Sequence, residues 1–192
     1  MNKEKNIKKN KRKDHPRKIT GTYLYNSGLF YLQRYSASNS HFRKVMLRKI
    51  DRSCSFHTGQ DRQECLKILD ELIDKFNDLG LLNDSNYAKA SVNSMRLKGM
   101  GEKAIIQKLS VKGLERDKIL EALSCHDADD LFSALRLARR KHLGPYIRAG
   151  TNTVDKKSLA VFARSGFSFE TASKVLNMNY EEAEAVLDSY RL

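Results

Sequence analysis

Apolar residues recur every three or four positions through most of this chain, and nowhere does an alternating apolar run reach strand length. The spacing predicts a helical protein. A first helix, capped by Thr20 or Thr22, carries Leu24, Tyr31, Leu32 and Tyr35. A second opens at Ser38 with Phe42, Val45, Met46 and Ile50 on one face. A third, after the polar loop Ser53–Asp61, has Leu66, Leu69, Ile73 and Phe76 inward and stops at Gly80. Asn83, Asp84 or Ser85 caps the next helix, which buries Tyr87, Ala88, Val92 and Met95 before Gly99. Helices with Ile105, Ile106 and Leu109, and with Ile119 and Leu123, follow on either side of Gly113. Asp127 or Asp129 starts a helix with Leu131, Leu135 and Ala138 inside, ended by Gly144-Pro145. Beyond a loop at Thr151–Asp155, two more helices hold Leu159, Phe162 and Ala163, then Ala172, Val175 and Leu176. Asn179 with Glu182 reads as a capping box for a terminal turn or helix. The expectation is an all-α chain of nine or ten short helices.

The pattern also repeats. Sliding Leu32–Lys49 by 63 positions lays Ser38 on Gly101, Phe42 on Ile105, Met46 on Leu109 and Lys49 on Lys112. A 53-residue shift lays Phe162 on Leu109, Gly166 on Gly113, Phe167 on Leu114 and Leu176 on Leu123. Coincident breaks and apolar anchors predict a tandem array of three three-helix repeats, at residues 21–82, 83–126 and 127–192, behind a tail at 1–20. Arrays present extended surfaces and suit long partners.

Charge sharpens this picture. The 192 residues carry 36 Lys/Arg against 23 Asp/Glu, a formal net charge of +13. Met1–Lys18 holds nine of the basic residues against two acids, and such a segment buries too little apolar surface to fold alone, so it is expected to be a flexible basic tail. An anionic partner follows from the excess. The basic start is not followed by an apolar stretch, and no segment approaches membrane-spanning length, so a cytoplasmic protein without membrane contact is expected. Cys54, Cys65 and Cys125, odd in number and irregular in spacing, suit a reducing compartment.

Within the helices, basic clusters fall at comparable places: Arg34, Arg43, Lys44, Arg48 and Lys49 in the first repeat, Arg96, Lys98, Lys103, Lys108 and Lys112 in the second, and Arg136, Arg139, Arg140 and Lys141 in the third. Arg34–Arg52 sets six basic residues against the single acid Asp51, so the usual offset by acids one turn away is missing. Stacked with like faces aligned, these clusters make one basic surface for phosphate or acidic protein. Other chemistry is thin. Gly99-x-Gly101 lacks the preceding strand and the full spacing of a phosphate loop and reads as a helix–helix turn. Cys54, His57 and Cys65 give three local ligands where zinc takes four. Asp127, Asp129 and Asp130 suit a helix start. Tyr23, Tyr25, Phe30, Tyr31 and Tyr35 are expected to pack in the core more than to stack on bases. No nucleophile–base pair stands out; the chain reads as a binding protein with neither metal nor cofactor.

Gly80-Leu81-Leu82-Asn83-Asp84 before Tyr87-Ala88, then Arg96-x-Lys98-Gly99-x-Gly101, then Ile105-x-x-Lys108-Leu109-x-x-Lys112-Gly113-Leu114, resembles the RecX family of recombination regulators. Tyr25-Asn26 and Leu32-x-Arg34-Tyr35-Ser36 look like its opening helix. Ala138-Arg139-Arg140 with Leu143-Gly144-Pro145-Tyr146 looks like the third repeat of its alphaproteobacterial-type members. The resemblance covers about Gly21–Leu187 and leaves the basic tail unmatched. It implies an elongated, curved array that lies in the groove of the RecA–DNA filament and limits RecA's ATP hydrolysis, strand exchange and SOS-repressor cleavage without enzymatic activity of its own. Its partners would be the RecA filament and single- and double-stranded DNA, contacted by a monomer.

Two other readings stand beside it. A direct DNA-binding regulator would use a helix-turn-helix-like pair, whose recognition helix should offer Asn, Gln, Ser or Arg to base edges; residues 101–112 offer mostly lysine and one Gln107. A hydrolase or transferase would use Cys54 or Cys65 as nucleophile and would lose activity on their replacement.

Overall fold

A computed structural model describes residues 15–125, 130–147 and 156–190. Among these, every regular element is helical: α1 Gly21–Leu32, α2 Asn39–Phe56, α3 Arg62–Asp78, α4 Asp84–Leu97, α5 Glu102–Val111, α6 Arg116–Ser124, α7 Asp130–Lys141, α8 Lys156–Arg164, α9 Phe169–Asn177 and α10 Tyr180–Ser189, with one 3-10 turn at Gly144–Tyr146. The chain is thus all-α and built from three-helix repeats. Most starts follow from capping side chains. Thr20, Ser38, Asp61, Asn83 and Ser168 each accept a backbone N–H two or three residues on. Asn179 and Glu182 form the expected reciprocal box.

Three apolar clusters succeed one another along the chain. The first joins Leu24, Phe42, Met46, Ile50, Leu69 and Phe76; the second Ala88, Val92, Ile105, Leu109 and Ile119; the third Leu135, Ala138, Phe162, Val175, Leu176 and Leu187. Most residues matched by the 63- and 53-position shifts play matching roles; Lys49, inside α2, and Lys112, at the end of α5, do not, and Leu123 is less buried than Leu176. Phe42 and Ile105, Met46 and Leu109, and Phe162 are all fully buried, and Phe167 and Leu114 are nearly so. Gly113 and Gly166 both turn the chain at positive φ, 78° and 88°, so that Leu114 and Phe167 donate back to Leu109 and Phe162.

Among the described residues the second cluster is the smallest, with seven buried residues against eleven and twelve in its neighbours. The middle repeat therefore depends on its junctions. The two junctions share one construction. The residue that caps the second helix of one repeat meets the glycine turn of the next: the Ser38 hydroxyl donates to the Lys112 carbonyl (2.8 Å), and the Gly101 N–H donates to the Ser165 carbonyl (2.8 Å). The first N–H of that second helix is received by an aspartate from the next repeat's opening helix: Asn39 N–H by Asp84 Oδ1 (2.8 Å), Glu102 N–H by Asp130 Oδ1 (3.0 Å). α5 has no side-chain cap of its own, and Asp130 supplies one from the next repeat.

Several expectations shift in detail. α1 ends at Leu32, leaving Tyr35 58% exposed. On α3 the inward stripe is Cys65, Leu69, Leu72 and Phe76, one position off the expected Leu66 and Ile73: the spacing runs 4, 3, 4 in place of the expected 3, 4, 3, both compatible with a helical face. Ala163 faces solvent. Asp127, Asp129 and the Thr151–Asp155 loop lie outside the described residues, and α7 is described from Asp130. His15–Ile19, expected within the basic tail, is held against α2 and the loop after it, with Ile19 buried.

Candidate functional site

A cleft of about 650 Å³ lies between the end of α1 and α4 at the first junction, lined by Tyr35, Tyr87, Met95, Lys98 and Lys112 among others. The Lys112 ammonium donates to the Tyr87 hydroxyl (2.9 Å) and lies 5.5 Å from that ring's centroid. Tyr31 packs at the back against Tyr35 and Phe42. Burial raises the Tyr31 hydroxyl's pKa above its ordinary value and Tyr87 and Tyr35 push the same way, while Arg48 and Lys112 oppose them. Arg48 and Lys112, 64 positions apart and from different repeats, thus act on one hydroxyl. The cleft offers aromatic surface with cations at its edge, a combination that suits a base or a planar side chain beside an anionic group.

The other basic residues divide by whether the chain already employs them. Among the described residues no carboxylate pairs with Arg34, Lys44, Arg48, Lys49, Lys98, Lys103, Lys108, Lys112, Arg140 or Lys141. Lys44, Arg48, Lys98, Lys103, Lys108 and Lys141 are exposed, and Lys49 is half-buried. Arg34 lies 4.0 Å over the Phe30 ring. Arg43 is paired with Asp70, and Arg139 with Glu184 at 3.4 Å.

Arg136 and Arg140 donate to the Leu97 and Lys98 carbonyls at 2.7 and 2.6 Å, satisfying the C-terminal end of α4 across the second junction. Two of the four cations in the third basic cluster thus fasten one repeat to the next.

Arg96 departs from its expected role. Its side chain is 4% exposed and ion-paired with Asp130, so it holds the second junction and presents no charge to a partner. Of the cations expected to form one basic surface, those left exposed without a carboxylate partner among the described residues include Lys44 and Arg48 on α2, Lys103 and Lys108 on α5, and Lys98 and Lys112 at the cleft. Sequence reasoning also assigned Tyr35 and Phe30 to the core, and both are exposed, at 58% and 55%. Phe30 and Tyr35 lie near the end of α1, where a short helix covers less of each ring.

The model of the second three-helix domain of RecX matches residues 83–123, the segment containing α4–α6. The regulatory protein RecX of Myxococcus xanthus is 39% identical over 176 residues, covering 90% of this chain and 94% of that one. The chain belongs to the RecX family. The regulatory protein RecX of Agrobacterium fabrum is 34% identical over 168 residues, covering 86% and 88% of the two chains. The crystal structure of RecX from Lactobacillus salivarius superposes with a TM-score of 0.61 at 23% identity, covering 86% of this chain and 97% of that one, and so shares the fold.

The matched segment contributes Lys98, Lys103, Lys108 and Lys112 to the exposed charge described above. Cys54 is half-buried and Cys65 buried, and no group of three or more His, Cys, Asp and Glu side chains converges among the described residues. No described helix is long and apolar enough to cross a membrane.

Proposed function

We propose that this RecX-family protein binds the RecA–DNA filament and lowers RecA's ATP hydrolysis, strand exchange and stimulation of SOS-repressor cleavage. The observation that carries the reading is family membership over nearly the full length of two regulatory relatives. The chemistry supports it: unpaired cations on α2 and α5 and the Tyr35–Tyr87–Lys112 cleft suit a polymer that exposes phosphate and acidic protein side by side. The protein acts as a cytoplasmic monomer without cofactor or chemistry of its own, and touches single- and double-stranded DNA through Arg34, Lys44, Arg48, Lys49, Lys98, Lys103, Lys108 and Lys112. Its effect is then a matter of occupancy along the filament. A protein that inserts in a filament acts on many subunits at once, whereas one that only coats DNA must first saturate it.

The test is RecA's single-stranded-DNA-dependent ATP hydrolysis, with DNA in excess of all binding sites and the protein added well below one per RecA. Hydrolysis falling at that ratio is the expected result. Hydrolysis unchanged until the DNA itself is covered would replace the filament reading with plain DNA binding.

A further inference from the structure

On the first repeat, on the side where the N-terminal segment crosses α1 and α2, lies a groove of which the reading above uses only Lys49. Its two halves, of about 500 and 750 Å³, share Arg17, Tyr23, Phe30 and Lys49; Lys18 lines one half and His15 and Arg52 the other. No Asp or Glu lines either half among the described residues.

The segment that forms its wall is fixed by side chains. Gln60 accepts from the Ile19 N–H (3.1 Å) and donates to the Ile19 carbonyl (2.8 Å). Ser53 donates to the Arg17 carbonyl (2.9 Å), His57 Nε2 lies 2.8 Å from the Pro16 carbonyl, and the His15 ring packs on Phe56. With its main chain held in this way, the segment sets the Arg17 and Lys18 side chains beside Lys49. Tyr23 and Phe30, seven residues apart, share one face of α1. The exposed Phe30 ring already has the Arg34 guanidinium 4.0 Å over it. Upstream the chain continues into residues 1–14, which hold seven further Lys/Arg.

We propose that this groove binds single-stranded nucleic acid, with bases stacked on Phe30 and Tyr23 and phosphates held by Arg17, Lys18 and Lys49. The inference deepens the DNA contact proposed above and rests on that part of it alone, not on RecA. Aromatic rings among cations with no carboxylate are what a sequence-tolerant strand site requires, because every base has a face to stack and every nucleotide a phosphate. An acidic peptide would use the cations and leave the rings idle.

The experiment is fluorescence anisotropy of the full-length protein with labelled oligothymidylate, a duplex of the same length and an abasic strand of the same length, without RecA. Phe30→Ala removes an exposed ring and should leave the helical circular dichroism unchanged. It should weaken oligothymidylate binding roughly tenfold and alter duplex and abasic binding by less than about twofold. Arg17→Glu with Lys49→Glu should weaken all three and flatten the salt dependence. No oligothymidylate binding by the parent protein, an unaltered affinity in Phe30→Ala, or an equal loss on all three ligands would overturn the proposal. A parent protein that fails to inhibit RecA, while Phe30→Ala shows the expected selective loss of oligothymidylate binding, would count against the filament reading and leave this one standing.

Discussion

Gly101 and Gly166 meet backbone to backbone across the second junction: a Cβ on Gly101 would sit 2.5 Å from both the carbonyl carbon and the carbonyl oxygen of Gly166. The Gly101 φ of −79° is open to any residue, so Gly101→Ala carries no conformational cost and must push the repeats apart. Overpacking of this kind costs about 1–3 kcal/mol. For a chain of this size that corresponds to a melting temperature lower by roughly 2–4 °C per kcal/mol. Gly166→Ala should cost more, since the new methyl meets Ala104 and the backbone is left-handed there. Thermal melts of both variants check this; a Gly101→Ala protein that melts with the parent would show that the contact yields freely.

The same junction contains the pairing of Arg96 with Asp130. Arg96 Nε has no partner among the described residues, so the guanidinium depends on that one carboxylate for its charge compensation. Asp130→Ala strands a buried cation and removes the acceptor for the Glu102 N–H, with an expected loss of about 3–5 kcal/mol. Arg96→Met in the Asp130→Ala background removes the stranded charge and should recover a large part of that loss. Denaturant unfolding of the single and double variants measures it. A double variant no more stable than Asp130→Ala would refute the buried-charge account.

Arg96 also marks where the sequence misleads. Caps and breaks are legible because their chemistry is local: Thr20, Ser38, Asn83 and Asn179 act within three residues, and Gly80, Gly99, Gly113 and Gly166 stand at positive φ where helices stop. The repeat shifts are legible because the apolar anchors Phe42 and Ile105, Met46 and Leu109, and Phe162 are all buried at matched positions. The role of a cation is not local. Arg96 falls four residues after Val92 and eight after Ala88, on the inward stripe, and this spacing was the available sign that it is buried. That Asp130 meets it from 34 residues away is set by how the repeats stack. Arg136 and Arg140 are exposed, yet their guanidinium groups are engaged by the α4 carbonyls they reach, which the sequence does not show. Sequence reasoning finds the basic clusters and cannot divide the cations left without a carboxylate from those fastening one repeat to the next.

The α2–α3 pair should lose stability in alkali through Cys65. Burial pushes its thiol pKa up to about 11, with the neighbouring Cys54 acting in the same direction. The folded state therefore keeps the proton more firmly than the unfolded chain. The resulting stability is fully present below the ordinary thiol value, about pH 9, and is lost as pH rises towards 11. Two units correspond to roughly 2–3 kcal/mol as an upper scale. Urea unfolding between pH 8 and about 11 should show that decline, with a shallower one in Cys65→Val, which keeps an apolar group and has no proton to lose. Identical slopes in the two proteins would assign the decline to other groups, such as Tyr146, whose hydroxyl is raised by burial and by its bond to Glu184.

Charge reversal on α2 and α5 separates surface from scaffold. Lys44, Arg48, Lys103 and Lys108 are exposed, and no carboxylate pairs with them among the described residues. Replacing all four by Glu changes the local charge by eight units, leaves the apolar stripes untouched and keeps helix-forming side chains. Helicity should be unchanged while RecA inhibition is abolished. Reversing Arg136 and Arg140 instead removes the donors to the Leu97 and Lys98 carbonyls, so that pair should lower the melting temperature as well as activity. The contrast between the two sets, read by circular dichroism and by RecA's ATP hydrolysis on the same preparations, decides the matter. Unaltered inhibition in the α2–α5 variant would move the working surface elsewhere, with the cleft at Tyr35, Tyr87 and Lys112 the next to be changed.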